Sequence, residues 1–411
     1  MKTDQSSTAA DGSSDGVLSV RVADKIADIS AETWDRMAAT SPAGSCHGRP
    51  DNPFVQHAFL ASLEDSGCVG RRAGWLPQHL ILERGDGTPI ALAPAYLKTH
   101  SQGEYVFDWG WADAFERAGG RYYPKLQISV PFTPATGPRL LVGSEPDAEF
   151  RRLALCEGIK AYTGKLGLSS AHATFLTPDD LAAMRSRDFL HRTDKQFHFV
   201  NRGYASYDDF LATLTSRKRK ALKKERREAL ADGIDVEWLT GKDLTEAAWD
   251  AFFEFYMDTG SRKWGSPYLN RRFFSIVGER MGDQILLVMA RHAGRYVAGA
   301  LNFVGRDTIY GRYWGCVEDH PFLHFELCYH QAIDYAIANK LALVEAGAQG
   351  EHKLARGYEP VTTHSAHYIE HPGLRAAIED YLEREREDIA DLTDSLGEHT
   401  PYRKGNGDQE G

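Results

Sequence analysis

The chain has 411 residues and a mass of 45.8 kDa, with 42% hydrophobic residues, 26% charged residues and a formal net charge of −10 at pH 7. These values are ordinary for a globular protein, so they exclude a wholly disordered chain, a collagen-like repeat and a long coiled coil. At about 150 residues per domain, the length indicates two or three domains.

The N-terminal residues, the apolar runs and the cysteines indicate in which cellular compartment the protein is expected. Residues 1–16 have no apolar core after a basic region, so we expect a disordered tail and not a secretory signal. The longest apolar runs fall far short of the roughly 20 residues that a membrane-spanning helix needs. The five cysteines include no CxxC pair, which argues against a disulfide framework or a structural zinc site. We therefore expect a cytoplasmic protein.

The first half of the chain, residues 17–195, is predicted to be one mixed domain. Its hairpin is the clearest element, because Gly85-Asp86-Gly87 supplies turn residues between two apolar runs. The predicted elements, in chain order, are a strand near Val17, helices at 31–39 and 53–67, the hairpin at 79–98, an aromatic loop at 104–139, a helix at 147–167 and a strand at 171–176.

The second half repeats this order of elements, which favours one topology used twice. A helix at 249–260 precedes a hairpin at 285–304, and a helix at 325–340 precedes a strand at 341–347. The pair Trp109-Gly110 is matched to Trp314-Gly315. Chance recurrence of a common α/β order is the alternative. The predicted division is a tail at 1–16, domains at 17–195 and 196–396, and a flexible tail at 397–411.

Residues 216–227, SRKRKALKKERR, concentrate cations in an acidic chain. Their context predicts a helix, around which the cations cannot all point one way. One interpretation is an anion site, where Arg217, Arg219 and Lys220 meet phosphates of a nucleotide-linked substrate or of RNA. The alternative is a solvated helix face. The net charge disfavours non-specific binding of nucleic acid over the whole surface but allows one local basic binding site.

Glu326 and His330 lie four residues apart in a predicted helix, so they share a face. Three interpretations stay open for this pair. It is a hydrogen-bonded structural pair, a partial metal site that needs a third ligand, or the source of a general base.

The segment 344–358, VEAGAQGEHKLARGY, has the strongest indication of chemistry. A buried strand ends at Glu345, and the glycines that follow, Gly347 and Gly350, allow the backbone to approach a ligand closely. Loops at strand ends often hold the sites of α/β proteins. Lys353 is suited to neutralising an oxyanion, and Glu345 or Glu351 to accepting a proton from an amine. The alternative is an ordinary charged loop.

A strand at 310–315, YGRYWG, places Arg312 beside Tyr310 and Trp314, as in a substrate cleft. A core strand with one snorkelling arginine is the alternative. The sequence contains no GxSxG elbow, GxxxxGK[ST] loop, HExxH helix or GxGxxG turn. This disfavours a serine hydrolase, a P-loop kinase, a zincin and a standard dinucleotide enzyme.

The chain resembles the FemAB-like branch of the GNAT (acyl-CoA N-acyltransferase) superfamily, the peptidoglycan biosynthesis/recognition proteins. The resemblance covers about Asn52 to Tyr381. Its blocks include NPFVQHAFLASLE, YYPKLQISVPFTPATGPRLL, SRKRKALKKERREAL, LHFELCYHQAIDYAI and VEAGAQGEHKLARGY. It implies two tandem GNAT-like α/β (mixed α+β) domains, each a mixed central sheet flanked by helices.

The resemblance also implies an activity. Fem-type relatives move amino acids from aminoacyl-tRNA to the amine of a cell-wall precursor, and they share a basic helix and a Lys-x-x-Gly-aromatic pattern. Lys353 to Tyr358 looks like a version of that pattern that is one residue longer. The [RQ]xxGx[GA] motif of acetyl-CoA users has no clean copy here, and a coiled-coil arm for tRNA is not evident.

The sequence therefore predicts an N-acyltransferase or aminoacyltransferase whose second domain is active. The co-substrate is aminoacyl-tRNA or acyl-CoA, with no tightly bound cofactor and no metal. The partners are an amine-bearing acceptor, such as a peptidoglycan precursor, and tRNA. The predicted catalytic residues are Lys353, Glu345, Glu351 and Glu326. The predicted substrate-binding residues are Arg217, Arg219, Lys220, Arg312, Tyr310, Trp314, His352, Arg356, Gly347 and Gly350. The alternative is a non-catalytic scaffold that recognises a peptidoglycan precursor or RNA.

Overall fold

The structure is a computed structural model that describes residues 17–40, 49–263, 267–348, 350–398 and 400–403, with side chains described for all of these except 261–263 and 351. The predicted tail at 1–16 lies outside them. At the other end, the last helix continues to Glu398, and Tyr402 forms an isolated bridge with Leu214. No helix in these described ranges is both long and apolar enough to cross a membrane.

The strands form one small sheet and one large sheet. The small sheet has the order β1-β3-β4, and the large one has the order β2-β5-β6-β7-β14-β8-β13-β12-β11-β10-β9 in this numbering. The strands are β1 (Leu18–Ala23), β2 (Trp75–Pro77), β3 (His79–Arg84), β4 (Pro89–Ala93), β5 (Ala95–Lys98), β6 (Lys125–Ile128), β7 (Ser170–Thr174), β8 (Leu190–Val200), β9 (Ile234–Leu239), β10 (Ile285–His292), β11 (Arg295–Val304), β12 (Thr308–Cys316), β13 (Leu343–Glu345) and β14 (Glu359–Ile369).

Helices cover both faces of the large sheet. They are α1 (Ala31–Ala38), α2 (His57–Asp65), α3 (Trp109–Arg117), α4 (Ala148–Lys165), α5 (Pro178–Arg185), α6 (Tyr207–Ala212), α7 (Ser216–Ala229), α8 (Glu246–Lys263), α9 (Arg271–Met281), α10 (Leu323–Phe325), α11 (Gln331–Ala338) and α12 (Pro372–Glu398). A π-helical turn, Glu326–His330, joins α10 to α11, and a 3-10 helix spans Glu351–Arg356. Side chains of Ser30 and Asn270 cap α1 and α9 by accepting backbone N–H groups.

Among the described strands, two neighbouring pairs are parallel, β6 with β7 and β12 with β13, and helices join the members of each pair. The other ladders are antiparallel, including both predicted hairpins, β3–β4 and β10–β11. The second hairpin turns at Ala293 and Gly294, which both have positive φ, as a type I′ turn requires. The predicted fold class, a mixed α+β protein with a mixed central sheet flanked by helices, is confirmed.

The two halves of the chain are joined in the large sheet by strands of one half that pair with strands of the other. β8 pairs with β13 and β14, whereas β14 also pairs with β7 of the first half. The division predicted after residue 195 falls within β8, because this strand spans Leu190–Val200. The large sheet is therefore continuous across the middle of the chain.

The large sheet is buried on both faces. On β10, Leu287 and Met289 join the cluster under α2, α8 and α9, while Leu286 and Val288 join the cluster under α7 and α11. Alternate residues of a strand point to opposite faces, so this strand is apolar on both sides.

One predicted correspondence between the halves is wrong. Trp109-Gly110 begins helix α3, whereas Trp314-Gly315 lies within strand β12. The counterpart of β12 in the first half is β6, since each leads through a helix to a parallel partner. The predicted aromatic loop at 104–139 thus contains both α3 and β6.

Candidate active site

The parallel strands β12 and β13 separate after a short contact. They pair from Thr308 with Leu343 to Tyr310 with Glu345, and β12 then continues to Cys316 without its partner. The chain after β13 passes through residues 346–348 and reaches the 3-10 helix that carries Lys353. The end of β13 is therefore the place where side chains from several elements converge.

Lys353 is buried beside this strand end. Its Nζ donates hydrogen bonds to the carbonyl oxygens of Ala346 and of Gly347, the latter at 3.0 Å. Gly347 has φ +74°, a conformation that favours glycine and that aims its carbonyl at the lysine. Burial lowers the pKa of Lys353 to about 8, and the nearby Cys328 partly opposes this change.

Glu345 is buried at the end of β13 itself, with 7% of its surface exposed. Burial raises its pKa to about 8, although Arg312, the backbone N–H of Thr136 and Arg139 lower it in part. Its Oε2 atom has no hydrogen-bond partner among the described residues. A buried carboxyl oxygen without a partner costs free energy, which is typical of a group held for function.

Helix α7 contacts the 3-10 helix through Glu225. This carboxylate accepts two hydrogen bonds from Arg356, at 2.9 and 2.6 Å, and one from His330 at 2.7 Å. His330 in turn contacts the hydroxyl of Tyr207 at 2.6 Å. Arg356 is thus fixed by a bidentate ion pair, and it holds the segment that carries Lys353 against α7.

The next residue of α7, Arg226, binds the buried Glu326. The guanidinium donates to both oxygens of Glu326, at 3.0 and 2.8 Å, and to Asp334 at 2.6 Å. Gln331 donates to the same carboxylate at 2.7 Å. The structure therefore places Glu326 and His330 each against α7 and not against one another.

An aromatic wall lies next to this network. The Nε2 atom of His352 is 3.0 Å from the hydroxyl of Tyr329, and its ring lies 5.2 Å from that of Phe325. Trp314 of β12 contacts His324 with ring centroids 5.1 Å apart. A side chain at Gly350 would collide with His352, since its Cβ would lie 2.1 Å from the imidazole. The side chain of Glu351 lies outside the described set.

Arg312 and Tyr310 lie on the other side of the strand end. Arg312 donates to the carbonyl of Phe132 at 2.7 Å, and Tyr313 donates to the same oxygen at 3.2 Å. Tyr310 is buried in the core and pairs with Glu345 in the ladder. A loop of the first half, residues 131–139, therefore closes over the end of β13.

The remaining cations of α7 point outward. Arg217 and Lys220 are exposed, and Arg219 is half-buried. Lys223 pairs with Asp208 at 2.7 Å. The basic run is thus divided, because Arg226 is an internal ion-pair residue while Arg217 and Lys220 in the first turn of the helix face solvent.

Several residues of this site were missed by sequence reasoning. The sequence could have indicated Glu225, since it is the one acid within the run 216–227. Thr136 and Arg139 were not indicated by the sequence, because they come from the predicted loop of the first half. The predicted metal alternative gains no support from the pair Glu326 and His330, whose side chains are engaged by cations and carboxylates of α7.

The fold is thus a mixed sheet flanked by helices, in which two parallel strands separate beside a buried lysine and a buried glutamate. Comparison with family models matches residues 25–404 to the FemAB-like family, described as peptidoglycan biosynthesis/recognition. The chain belongs to this family.

Solved structures of similar fold include FemX. It is 13% identical, with a TM-score of 0.53 over 85% of this chain and 98% of the other. A conserved protein of unknown function from Bacteroides thetaiotaomicron is 12% identical, with a TM-score of 0.50 over 86% of this chain and 100% of the other. At these identities the likeness shows the fold. No curated protein matches the chain significantly.

Proposed function

We propose that this protein is an N-acyltransferase that moves an acyl or aminoacyl group from an activated donor to an amine at the end of β13. The observation that carries the proposal is the setting of Lys353. Its ammonium group has three N–H donors, and two of them are bound by the carbonyls of Ala346 and Gly347. In this proposal the third donates to a substrate oxygen.

The reaction forms a C–N bond and breaks the C–O bond of an aminoacyl ester or the C–S bond of a thioester. Attack by the amine puts negative charge on the carbonyl oxygen. A lysine buried in a low-dielectric site stabilises that charge more strongly than a solvated one does. We propose Lys353 as the group that contacts this oxyanion or the leaving oxygen or sulfur.

The attacking amine must lose a proton, and Glu345 is the proposed acceptor. Its pKa of about 8 is close to the working pH, which is where a general base is most effective. Its unpartnered Oε2 supports this role, because a substrate ammonium or amine would satisfy it. The proton then passes to the leaving group or to solvent.

The donor is proposed to be aminoacyl-tRNA or acyl-CoA, which both carry phosphates. Exposed Arg217 and Lys220 on the first turn of α7 supply a basic surface, and the same helix contacts the segment of Lys353 through Glu225. An amine-bearing peptidoglycan precursor is the proposed acceptor, in keeping with the family. In this proposal residues 196–396 carry the chemistry and the loop 131–139 closes the site.

The test is a transfer assay with labelled aminoacyl-tRNA or acyl-CoA and amine-bearing precursors, on the wild type, Lys353→Met and Lys242→Met. Lys242 is an exposed lysine distant in sequence and serves as the control. Loss of one oxyanion donor lowers kcat by about 100-fold or more, so we expect that loss only at Lys353. If neither donor is consumed while precursor binds, the protein is a recognition module and the proposal of catalysis fails.

A further inference from the structure

Three potential metal ligands converge away from the site described above. His292 is the last residue of β10, and Glu318 and His320 follow the end of β12. The segment after β12 stays beside β11, because Val317 N–H donates to the carbonyl of Val297 at 2.9 Å. That continued pairing brings the chain back over the end of the β10–β11 hairpin.

The two imidazoles meet the same carboxylate oxygen. Nδ1 of His292 lies 2.8 Å from Oε2 of Glu318, and Nε2 of His320 lies 3.1 Å from it. The three ligand atoms all lie within 4.8 Å of one another. Ligand atoms about 2.0–2.1 Å from a tetrahedral zinc ion are about 3.4 Å apart, so small side-chain shifts would admit the ion.

We propose that His292, Glu318 and His320 bind a divalent transition metal of the zinc class. Two imidazoles and one carboxylate are a known zinc donor set that leaves the fourth position to water. This inference is independent of the proposed transfer reaction. It departs from the sequence-based expectation of no metal, because His292 precedes Glu318 by 26 residues and the three residues form no ligand motif.

The surroundings suit a bound ion. Oε1 of Glu318 is held by Arg295 at 2.9 Å, so Oε2 remains directed at the imidazoles. Such contacts by neighbouring residues orient metal ligands and tune their affinity. The side chains of His292, Glu318 and His320 are 35%, 28% and 17% exposed, so an ion can reach them from solvent.

The metal would tie the β10–β11 hairpin to the segment that leads into α10. The carbonyl of His320 accepts the N–H of Leu323, the first residue of that helix, and His324 follows in the aromatic wall. The bound metal would therefore fix where α10 begins.

The test measures metal binding directly, on the full chain purified without a polyhistidine tag and stripped with chelator. Titration calorimetry with ZnCl2 and metal analysis after dialysis give the stoichiometry and affinity. The absorption spectrum with Co2+ reports the coordination geometry. The variants are His292→Ala, His320→Ala and Glu318→Gln, with Asp319→Asn as the matched control because Asp319 is exposed between two ligands.

We expect one zinc per chain, a rise in Tm with zinc, and a tetrahedral cobalt spectrum. Each ligand variant should lose at least about tenfold in affinity, and Asp319→Asn should behave as the wild type. Circular dichroism without metal checks that the variants fold. The proposal is overturned if the wild type shows no saturable binding, if the histidine variants bind zinc as tightly as the wild type, or if Asp319→Asn weakens binding as much as they do.

Discussion

Replacing Glu345 by Gln is expected to make the protein more stable at high pH. The pKa of this carboxyl rises from 4.5 to about 8 in the folded chain because the group is buried. At pH values between these two pKa values, the carboxyl of Glu345 is protonated in the folded protein and ionised in the unfolded chain. The free energy of unfolding therefore falls as pH rises, by up to ~1.4 kcal/mol per pH unit. From pH 6 to pH 8 the loss is about 2 kcal/mol.

Glutamine preserves the shape of the side chain and its acceptor oxygen but has no proton to lose. The variant should therefore gain about 2 kcal/mol on the wild type between pH 6 and pH 8, or a Tm difference of about 2–3 °C for a chain of this size. Urea unfolding of both proteins at the two pH values measures it. Other groups that titrate here cancel in the comparison.

The control is Glu116→Gln, which removes an exposed carboxylate from α3. It should leave the difference between the two pH values as in the wild type. Equal pH dependence in the wild type and in Glu345→Gln would refute the reasoning, because it would mean that the buried carboxyl is ionised throughout. In the transfer assay the same variant should lose activity, whereas Glu116→Gln should not.

Two further predictions concern helix α7. Glu225→Gln leaves the 5%-exposed Arg356 without its charged partner, so the free energy of unfolding should fall by about 3 kcal/mol in urea denaturation. The control is Glu228→Gln, one turn later and half-buried beside Lys224, which should cost under about 0.5 kcal/mol. Similar losses in the two variants would contradict a buried role for Glu225. The double substitution Arg217→Glu and Lys220→Glu should leave Tm unchanged but raise KM for a phosphate-bearing donor and flatten its salt dependence; an unchanged KM at low salt would show that the donor docks elsewhere.

The sequence was a good guide to elements whose signals are local. Both hairpins were predicted from turn residues between apolar runs, and Gly294 indeed occupies a position with positive φ. The basic helix was predicted from its sequence context, and the strand that ends at Glu345 from its apolar run. In each case a few neighbouring residues determine the conformation, so no long-range contact had to be known.

Strand β6 was missed because its residues do not look like a buried strand. Lys125 is 1% exposed, and it is compensated by Glu104 and Asp108, with Nζ–O distances of 3.1 and 2.6 Å. These acids lie some 20 residues earlier, in what was predicted to be a loop. A buried cation is favourable only with partners of this kind, and a sequence pattern does not show which distant acids will supply them.

The same limit applies to the site. Lys353 and Glu345 could be proposed from their position after a strand, but the residues that hold the segment of Lys353 in place and that act on the pKa of Glu345 are distant in sequence. Glu225 comes from a helix over 100 residues earlier, and Thr136 and Arg139 come from the first half of the chain. The sequence also did not indicate that packing would divide the basic run between internal ion pairs and an exposed first turn.

Strand pairing between the two halves explains why these distant parts of the chain lie together. β14 pairs with β7 through Ser365–Ile369 and with β8 through Glu359–His367, so it joins a strand of the first half to the strand that flanks β13. The loop 131–139 follows β6, the parallel partner of β7, and its Phe132 carbonyl receives Arg312 from β12. The groups around the buried Glu345 thus come from both halves of the chain, with Thr136 and Arg139 from the first and Arg312 from the second, and the continuous sheet holds them in one arrangement.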